Sequence, residues 1–387
     1  MRTTIFSSFL LFSISIVSYS QSVTPVALAD GKYGFTFKNL YFEVDAQMGG
    51  RIRSFKIDSE DVIFSDWENN SLLSGSTFWP SPQENWGWPP STALDSDPYT
   101  SQITNNKLVL VGDADSESGL YFEKIFSASE SDSSISIEYI IHNSNSSSQT
   151  WAPWEVTRVP QNGLTFFGKG NGDVWGDMAG SSSESLNCVW YDQSVDPDGA
   201  KFFCDGKGWI AHVNTNKQFF IKVFNDIDED KAAPGEAEIE VYTNPGLKYT
   251  ELENQGAYSE IPAYGSYSWI VKWYLRNLPI SIDASNSNQA LVDYANGFVK
   301  RLPVSINNMS SGFNVYPNPA NNYIMLPEKQ QVTNSNILIY NILGKLVLHS
   351  NIQSNRLDIS QLSPGFYVLE INTKGSPSAK SSFLISR

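Results

Sequence analysis

The chain has 387 residues and carries 41 Asp and Glu against 26 Lys and Arg, a formal net charge of −15 at pH 7. Hydrophobic residues make up 41% of it and aromatic residues 13%, enough apolar material for packed cores, which excludes an intrinsically disordered chain. The acidic balance excludes a general electrostatic grip on nucleic acid or anionic lipid, and at roughly 100–200 residues per domain the length suggests two or three domains.

Residues 1–20 read as a secretory signal peptide. Arg2 supplies the positive start, Ile5 to Val17 the apolar stretch, and Ser18-Tyr19-Ser20 small residues at the two positions that a signal peptidase reads, which puts cleavage before Gln21. The apolar stretch is too short to span a bilayer, and no later stretch is longer, so no membrane span is expected in the mature protein.

Residues 21–282 read as all-β. Short runs that alternate apolar and polar residues, or that are rich in β-branched and aromatic residues, recur between turn residues. Examples are Tyr41–Asp45, Arg51–Ile57, Lys107–Val111, Ser134–Ile141, Trp209–Val213, Gln218–Phe224, Ala237–Tyr242, Tyr249–Glu253 and Ser266–Leu275. That spacing predicts an antiparallel sandwich or barrel. Gly49-Gly50 before Arg51 permits a tight turn, after which Arg51 either lines a site or stands exposed on a hairpin.

Phe78 to Pro90 is the densest aromatic segment, with Trp79, Trp86, Trp88 and four prolines, and so is neither helix nor central strand. Indole faces stack on the C–H faces of sugars, and Gln83, Glu84 and Asn85 can hydrogen-bond hydroxyls, so the segment reads as the wall of a sugar pocket. The alternative is a proline-stiffened loop whose indoles plug one end of the sandwich. Further on, Trp154 and Glu155 lie in a strand-like run, and Tyr249 to Gly256 places Glu251 and Glu253 on one strand face. Like charges side by side on a partly buried face raise a carboxyl pKa, which suits acid–base chemistry. A solvated strand face is the plainer alternative.

Cys188 and Cys204 flank Asp196-Pro197-Asp198-Gly199, a turn signal. A hairpin there would bring the two sulfurs into a disulfide, as fits an exported protein; two buried free thiols are the alternative. Asp226 to Asp230 has the alternating carboxylates of a calcium loop, but Lys231 stands where that loop needs Gly and Ala237 where it needs Glu. His142 and His212 lie far apart in strand-like runs and read as structural. No Gly-x-Ser-x-Gly elbow or phosphate loop is present, and the three His and two Cys do not have zinc-site spacing, so no cofactor or zinc site is expected, while carboxylates alone leave calcium open.

A short helix is predicted near Asn288–Phe298, followed by a Ser- and Asn-rich linker, so that residues 283–312 form a connecting segment. Beyond it the composition changes. All 11 Trp lie between Trp67 and Trp273, and the stretch from Met309 to Arg387 has six Lys and Arg against three Asp and Glu. Runs at Tyr323–Leu326, Ile337–Asn341, Lys345–His349 and Gly365–Asn372 predict a small β-sandwich over 313–387. Tyr316-Pro317-Asn318-Pro319, Ile339-Tyr340-Asn341 with Gly344-Lys345, Leu362 to Tyr367 and Phe383-Leu384-Ile385 occur there in order. This segment resembles the type A C-terminal sorting domain of the type IX secretion system. The resemblance implies handling by the type IX secretion machinery and a secreted or outer cell-surface location.

Gly49-Gly50-Arg51-Ile52, the Trp-Pro block, Trp154 to Thr157, Phe220 to Phe224, Glu251 to Gly256 and Trp269 to Pro279 also occur in order. Together they resemble an uncharacterised domain family of the galactose-mutarotase-like superfamily. That resemblance implies a β-supersandwich with a carbohydrate site on a concave face. In aldose 1-epimerases a late Glu is the base and a His the acid. The Glu matches the Glu251/Glu253 strand, but neither His142 nor His212 sits in such a motif.

The expected function is that of a secreted carbohydrate-active protein. Its expected substrate-binding residues are Arg51, Trp79, Gln83, Trp86, Trp88, Trp154 and Lys222, and Glu155 with Glu251 or Glu253 is the expected proton-transfer pair of a lyase, hydrolase or epimerase. Lys222 or Arg51 would steady an anionic group. A non-catalytic glycan-binding protein is the alternative. Taking away the single positive charge of residues 1–20 and the +3 of the tail leaves −19 for residues 21–308, which favours neutral sugars.

Overall fold

A computed structural model describes residues 22–193, 201–244, 246, 249–299, 315–318, 320–326, 335–341, 345–351, 355–373 and 379–385. The signal peptide, the Asp196 to Gly199 turn and most of the linker lie outside the described residues. Among the described residues, two antiparallel sheets of 11 strands each form the main body. The first runs from Ser183–Ser185 at one edge, through Trp209–Asn214, Gln218–Phe224, Ser266–Asn277, Ser134–Asn143 and Leu120–Ser129, to Thr100–Thr104 at the other. The second runs Lys201–Cys204, Ile239–Asn244, Tyr249–Gln255, Gln149–Pro160, Ser76–Ser81, Arg51–Ile57, Leu40–Asp45, Lys32–Phe37 and Val26–Ala27. This is the expected all-β supersandwich.

Period-two alternation decides what each strand places between the sheets. From the second sheet Phe42, Phe55, Val241 and Leu252 point inward, and from the first Phe126, Ile137, Phe220 and Trp273 meet them. Phe42 stands edge-on to Trp273 at 5.9 Å between ring centroids, and Phe78 stacks on Tyr139 at 4.2 Å. Each such buried side chain contributes about 1.5–3 kcal/mol over its exposed form.

The outer face of the first sheet is also covered. Helix Gln289–Val299 lays Leu291, Val292, Ala295 and Phe298 on Phe219, Ile221 and Tyr274. Their spacing makes one apolar stripe. The helix therefore packs with the sandwich and does not serve as part of a free linker. The C-terminal unit has a core of its own, including Ile324, Ile337, Ile339, Leu369 and Phe383. Its four-stranded sheet orders Leu346–Asn351, Ser335–Asn341, Gly365–Thr373 and Ala379–Ile385, and Tyr323–Met325 pairs with Arg356–Asp358 apart from it.

The expected disulfide is corrected. Cys188 and Cys204 are both free, buried thiols. Their strands do not form a hairpin: Cys188–Asp192 pairs within the first sheet and Lys201–Cys204 within the second. The Cys204 thiol instead donates to the Asp205 carbonyl at 3.2 Å. Burial pushes the Cys188 thiol up to about 11 and the Cys204 thiol to about 12, so both stay protonated at neutral pH.

Candidate functional site: the outer face of the second sheet

The outer face of the second sheet is floored by polar and aromatic side chains. Strand Tyr249–Gln255 turns Leu252 into the core, so alternation turns Tyr249, Glu251, Glu253 and Gln255 outward. In register, Trp154 opposes Gln255 on one side and Trp79 on the other. Glu253 opposes Glu240. The outward residues of five neighbouring strands thus form one surface, with Trp79, Trp154 and Val156 as an apolar cluster separate from the inter-sheet core.

Lys201 organises the charges. Its ammonium binds Glu253 Oε2 at 2.8 Å and also ion-pairs Glu240. It lies 4.7 Å from the Trp154 ring and 5.3 Å from Phe203, favourable cation–π placements. Trp154 Nε1 donates to Glu253 Oε2 at 2.9 Å, and Gln255 Nε2 donates to Glu240 Oε1 at 2.6 Å. Alongside, Arg158 binds Glu251 at 2.8 Å. Burial raises Glu240, Glu251 and Glu253 each to about 7, against the opposing pull of Lys201 or Arg158. Glu253 Oε1 and Gln255 Oε1 are buried and accept no hydrogen bond.

Aromatic rings continue the surface in both directions. Trp175 stacks on Phe203 at 4.1 Å between centroids. Trp79 meets Trp154 at 5.3 Å and Trp88 at 5.8 Å. Trp175 and Trp88 are 45% and 58% exposed, so the two ends of this line of rings are open to solvent while its middle is buried. Trp86 leans on both Trp79 and Trp154, at 5.9 and 6.4 Å, and its Nε1 donates to the Pro80 carbonyl at 2.7 Å. Gln83 is half-buried beside them, its backbone N–H bonded to Glu236 at 3.0 Å.

Of the expected site residues, Trp79, Trp86, Trp88, Trp154, Glu251 and Glu253 come together on this face. Glu155 and Lys222 do not. Glu155 points between the sheets, where it accepts from Tyr139 at 2.7 Å and Trp273 at 3.2 Å and pairs with Lys222 at 3.2 Å. Lys222 also donates to Thr157 Oγ1 and to the Leu252 carbonyl. Both are fully buried, so the expected pairing of Glu155 with Glu251 or Glu253 is corrected: the sheet itself separates them.

Arg51 is corrected as well. It is fully buried and grips both carboxylate oxygens of Asp95 at 2.8 Å, while Thr77 and Trp79 Nε1 donate to the same carboxylate. Gly49 is required there, because at φ +60 a Cβ would stand 2.0 Å from the Asp95 carbonyl oxygen. Arg51 thus pins the short helix Thr92–Asp95 beneath Trp79 and is not available to an anionic ligand. His142 stacks on Tyr121 at 4.4 Å, and His212 lies buried beside Thr165, its pKa lowered by burial to about 3.

Sequence reasoning did not single out Lys201, Glu240, Gln255 or Trp175 for this site. The alternation of Ile239–Asn244 marks Glu240 as facing away from Val241, but only strand register puts it against Glu253. Nothing in the sequence signals that Lys201, in the edge strand, would close the pair.

Residues 314–386 match the family described as the secretion system C-terminal sorting domain. This tail indicates type IX secretion to the outer surface or extracellular space. No helix among the described residues is long and apolar enough to cross a membrane. No curated protein matches the chain. Among solved structures, the chain is similar to a TPR-domain-containing protein from Parabacteroides distasonis, at 10% identity and a TM-score of 0.49, over 75% of this chain and 57% of that one. It therefore spans less than two thirds of that protein's length. It is also similar to a galactose mutarotase-like protein from Lactobacillus casei, at 10% identity and a TM-score of 0.47, over 64% of this chain and 100% of that one. A galactose mutarotase-like protein from Clostridium acetobutylicum shows 10% identity and a TM-score of 0.45, over 64% and 95% of the two chains. The fold described above rests on this chain's own two sheets.

Proposed function

We propose that the chain is an exported carbohydrate-binding protein that holds a neutral sugar on the outer face of its second sheet. The observation that supports this most is the line of indoles on this face, open to solvent at both ends. Trp88 and Trp175 offer exposed ring faces at the two ends of the aromatic line, and Glu253 Oε1 and Gln255 Oε1 lie between them without donors. A buried acceptor left unpaired costs about 1–3 kcal/mol. Sugar C–H faces stack on such indoles, whereas Glu253 Oε1 and Gln255 Oε1 are closed off from solvent in the free protein and would accept from sugar hydroxyls only once that cover opens. The charge of −19 over residues 21–308 opposes an anionic glycan, and Arg51 and Lys222 are committed to Asp95 and Glu155.

The test is binding of the full chain to a panel of neutral glycans, followed by calorimetry on the best ligand. Trp88→Ala and Trp175→Ala are each expected to lower affinity about tenfold, the worth of one aromatic stacking contact, while the melting temperature stays within a degree or so. Absence of binding to every neutral glycan would refute the proposal.

A second reading, acid–base catalysis on the same face, is favoured by one specific feature. Glu253 has a carboxyl near pH 7 and one oxygen free of partners, which suits a proton donor or acceptor. Under this reading Glu253→Gln retains ligand binding but abolishes product formation. Unchanged turnover in that variant would remove Glu253 from any catalytic role.

A further inference from the structure

A cavity of about 730 Å³ lies against the Trp-Pro segment, lined on that side by Pro80, Trp86, Pro89 and Pro90. Trp86 and Trp151 supply its aromatic wall, and Asp115, Glu117, Asn145 and Gln149 supply polar groups. Among the described residues, no lysine or arginine lines it. Its volume falls within the roughly 300–1,000 Å³ usual for ligand sites, and its lining is more polar than that of most of them, as suits a hydroxyl-rich ligand.

The walls are fixed before any ligand arrives. Asp115 accepts from Ser91 Oγ at 2.6 Å on one wall, and from Ser118 N–H and Oγ at 2.7 and 2.6 Å on the other. Asn145 and Gln149 both donate to the Ser118 carbonyl, at 2.6 and 2.8 Å. The loop that carries Trp86 is thereby tied to the turn that carries Glu117. A pre-formed cavity spares the ligand the cost of ordering it.

Trp86 is common to both places. Its ring leans on Trp79 and Trp154 at the sheet face and also lines the cavity. We infer that this cavity is a second sugar subsite and that the ligand is a neutral oligosaccharide or polysaccharide chain that passes over Trp86 from one subsite to the other. This inference rests on the sugar reading of the sheet face and deepens it from a sugar to a chain of several sugars. The chemistry of the cavity agrees: aromatic stacking and hydroxyl hydrogen bonding are available, while Asp115 and Glu117 repel uronic acids and sulfated sugars.

Calorimetry of the full chain with cello-, manno-, xylo- and laminari-oligosaccharides, from disaccharide to hexasaccharide, tests it. For the series that binds, affinity is expected to rise about tenfold or more between the disaccharide and the hexasaccharide. Ser147→Trp and Glu117→Trp place a bulky ring in the cavity from exposed positions whose side chains make no hydrogen bond, so folding is preserved. Either variant is expected to abolish the gain with length and leave disaccharide binding unchanged. Equal affinity for short and long ligands, or a gain with length that survives both variants, overturns the second subsite while leaving the sheet-face reading intact. Failure of every length to bind overturns both.

Discussion

Lys201→Met is the sharpest test of how the sheet face is held together. Methionine keeps the length of the stem and removes the charge. Glu240 and Glu253 are then left directly opposite one another, at most 1% exposed, with no cation between them. Removing one partner of a buried ion pair costs about 3–5 kcal/mol, because an uncompensated charge stays buried. The carboxyls can escape that cost by taking up protons. Their pKa values already sit at about 7, so at pH 5 both are largely neutral and only hydrogen bonds and cation–π contacts are lost, about 1–2 kcal/mol. The expected loss is therefore about 4 kcal/mol at pH 7.5 and about 1.5 kcal/mol at pH 5. Urea unfolding followed by tryptophan fluorescence measures it. All 11 Trp lie between Trp67 and Trp273, so the signal reports the sandwich and not the tail. Adding Glu240→Gln to Lys201→Met should recover part of the loss at pH 7.5. A loss below about 1 kcal/mol at pH 7.5, or the same loss at both pH values, would refute the buried-charge reasoning.

Other outcomes follow from the same geometry. Glu155→Gln strands the Lys222 ammonium between the sheets, so unfolding should cost about 3 kcal/mol less than in the unaltered chain while glycan affinity is unchanged; a selective loss of affinity would return Glu155 to the site. Glu240, Glu251 and Glu253 have folded pKa values near 7, above their ordinary 4.5, so their contribution to stability is fully present below about 4.5 and is lost as pH rises through about 7. His212, lowered to about 3 from 6.5, and Lys124, lowered to about 7 from 10.5, act oppositely as pH falls. Burial raises Glu238 as well and adds it to the three carboxyls, which outweigh the two bases. The melting temperature should therefore be higher at pH 5.5 than at pH 7.5, and Glu253→Gln should flatten that slope; a slope of opposite sign contradicts the assignment. Because Cys188 and Cys204 are free, iodoacetamide should label two thiols in urea without any reductant, and dithiothreitol should leave the melting temperature unchanged.

The placement of the carboxylates shows how far a sequence pattern reaches. Strand alternation alone puts Glu251 and Glu253 on one face, and they share it. The same alternation forbids adjacent Trp154 and Glu155 from serving one surface, so Glu155 belongs to the core as soon as Trp154 belongs to the site. Arg51 misleads for a different reason. A glycine pair before an arginine signals a turn, but the partner, Asp95, comes from a four-residue helix far along the chain. The cysteine pair misleads in the same way: a turn signal between two strand-like runs predicts a hairpin, whereas the two strands enter different sheets.

By itself the sequence determined the features that depend on composition or on local period: the export tail, the all-β body, the helix after it and the sidedness of each strand. These are set by side-chain chemistry and backbone geometry within a few residues. Only the tertiary structure decided which side of each strand faces the core, which strands lie beside one another and in what register. Those choices gather Lys201, Glu240, Glu253 and Trp154 from four strands into one charge-balanced surface, and they bury Glu155 with Lys222 on the other side. A carboxylate's role depends on the cation and the solvent it meets, and both are supplied by residues distant in sequence.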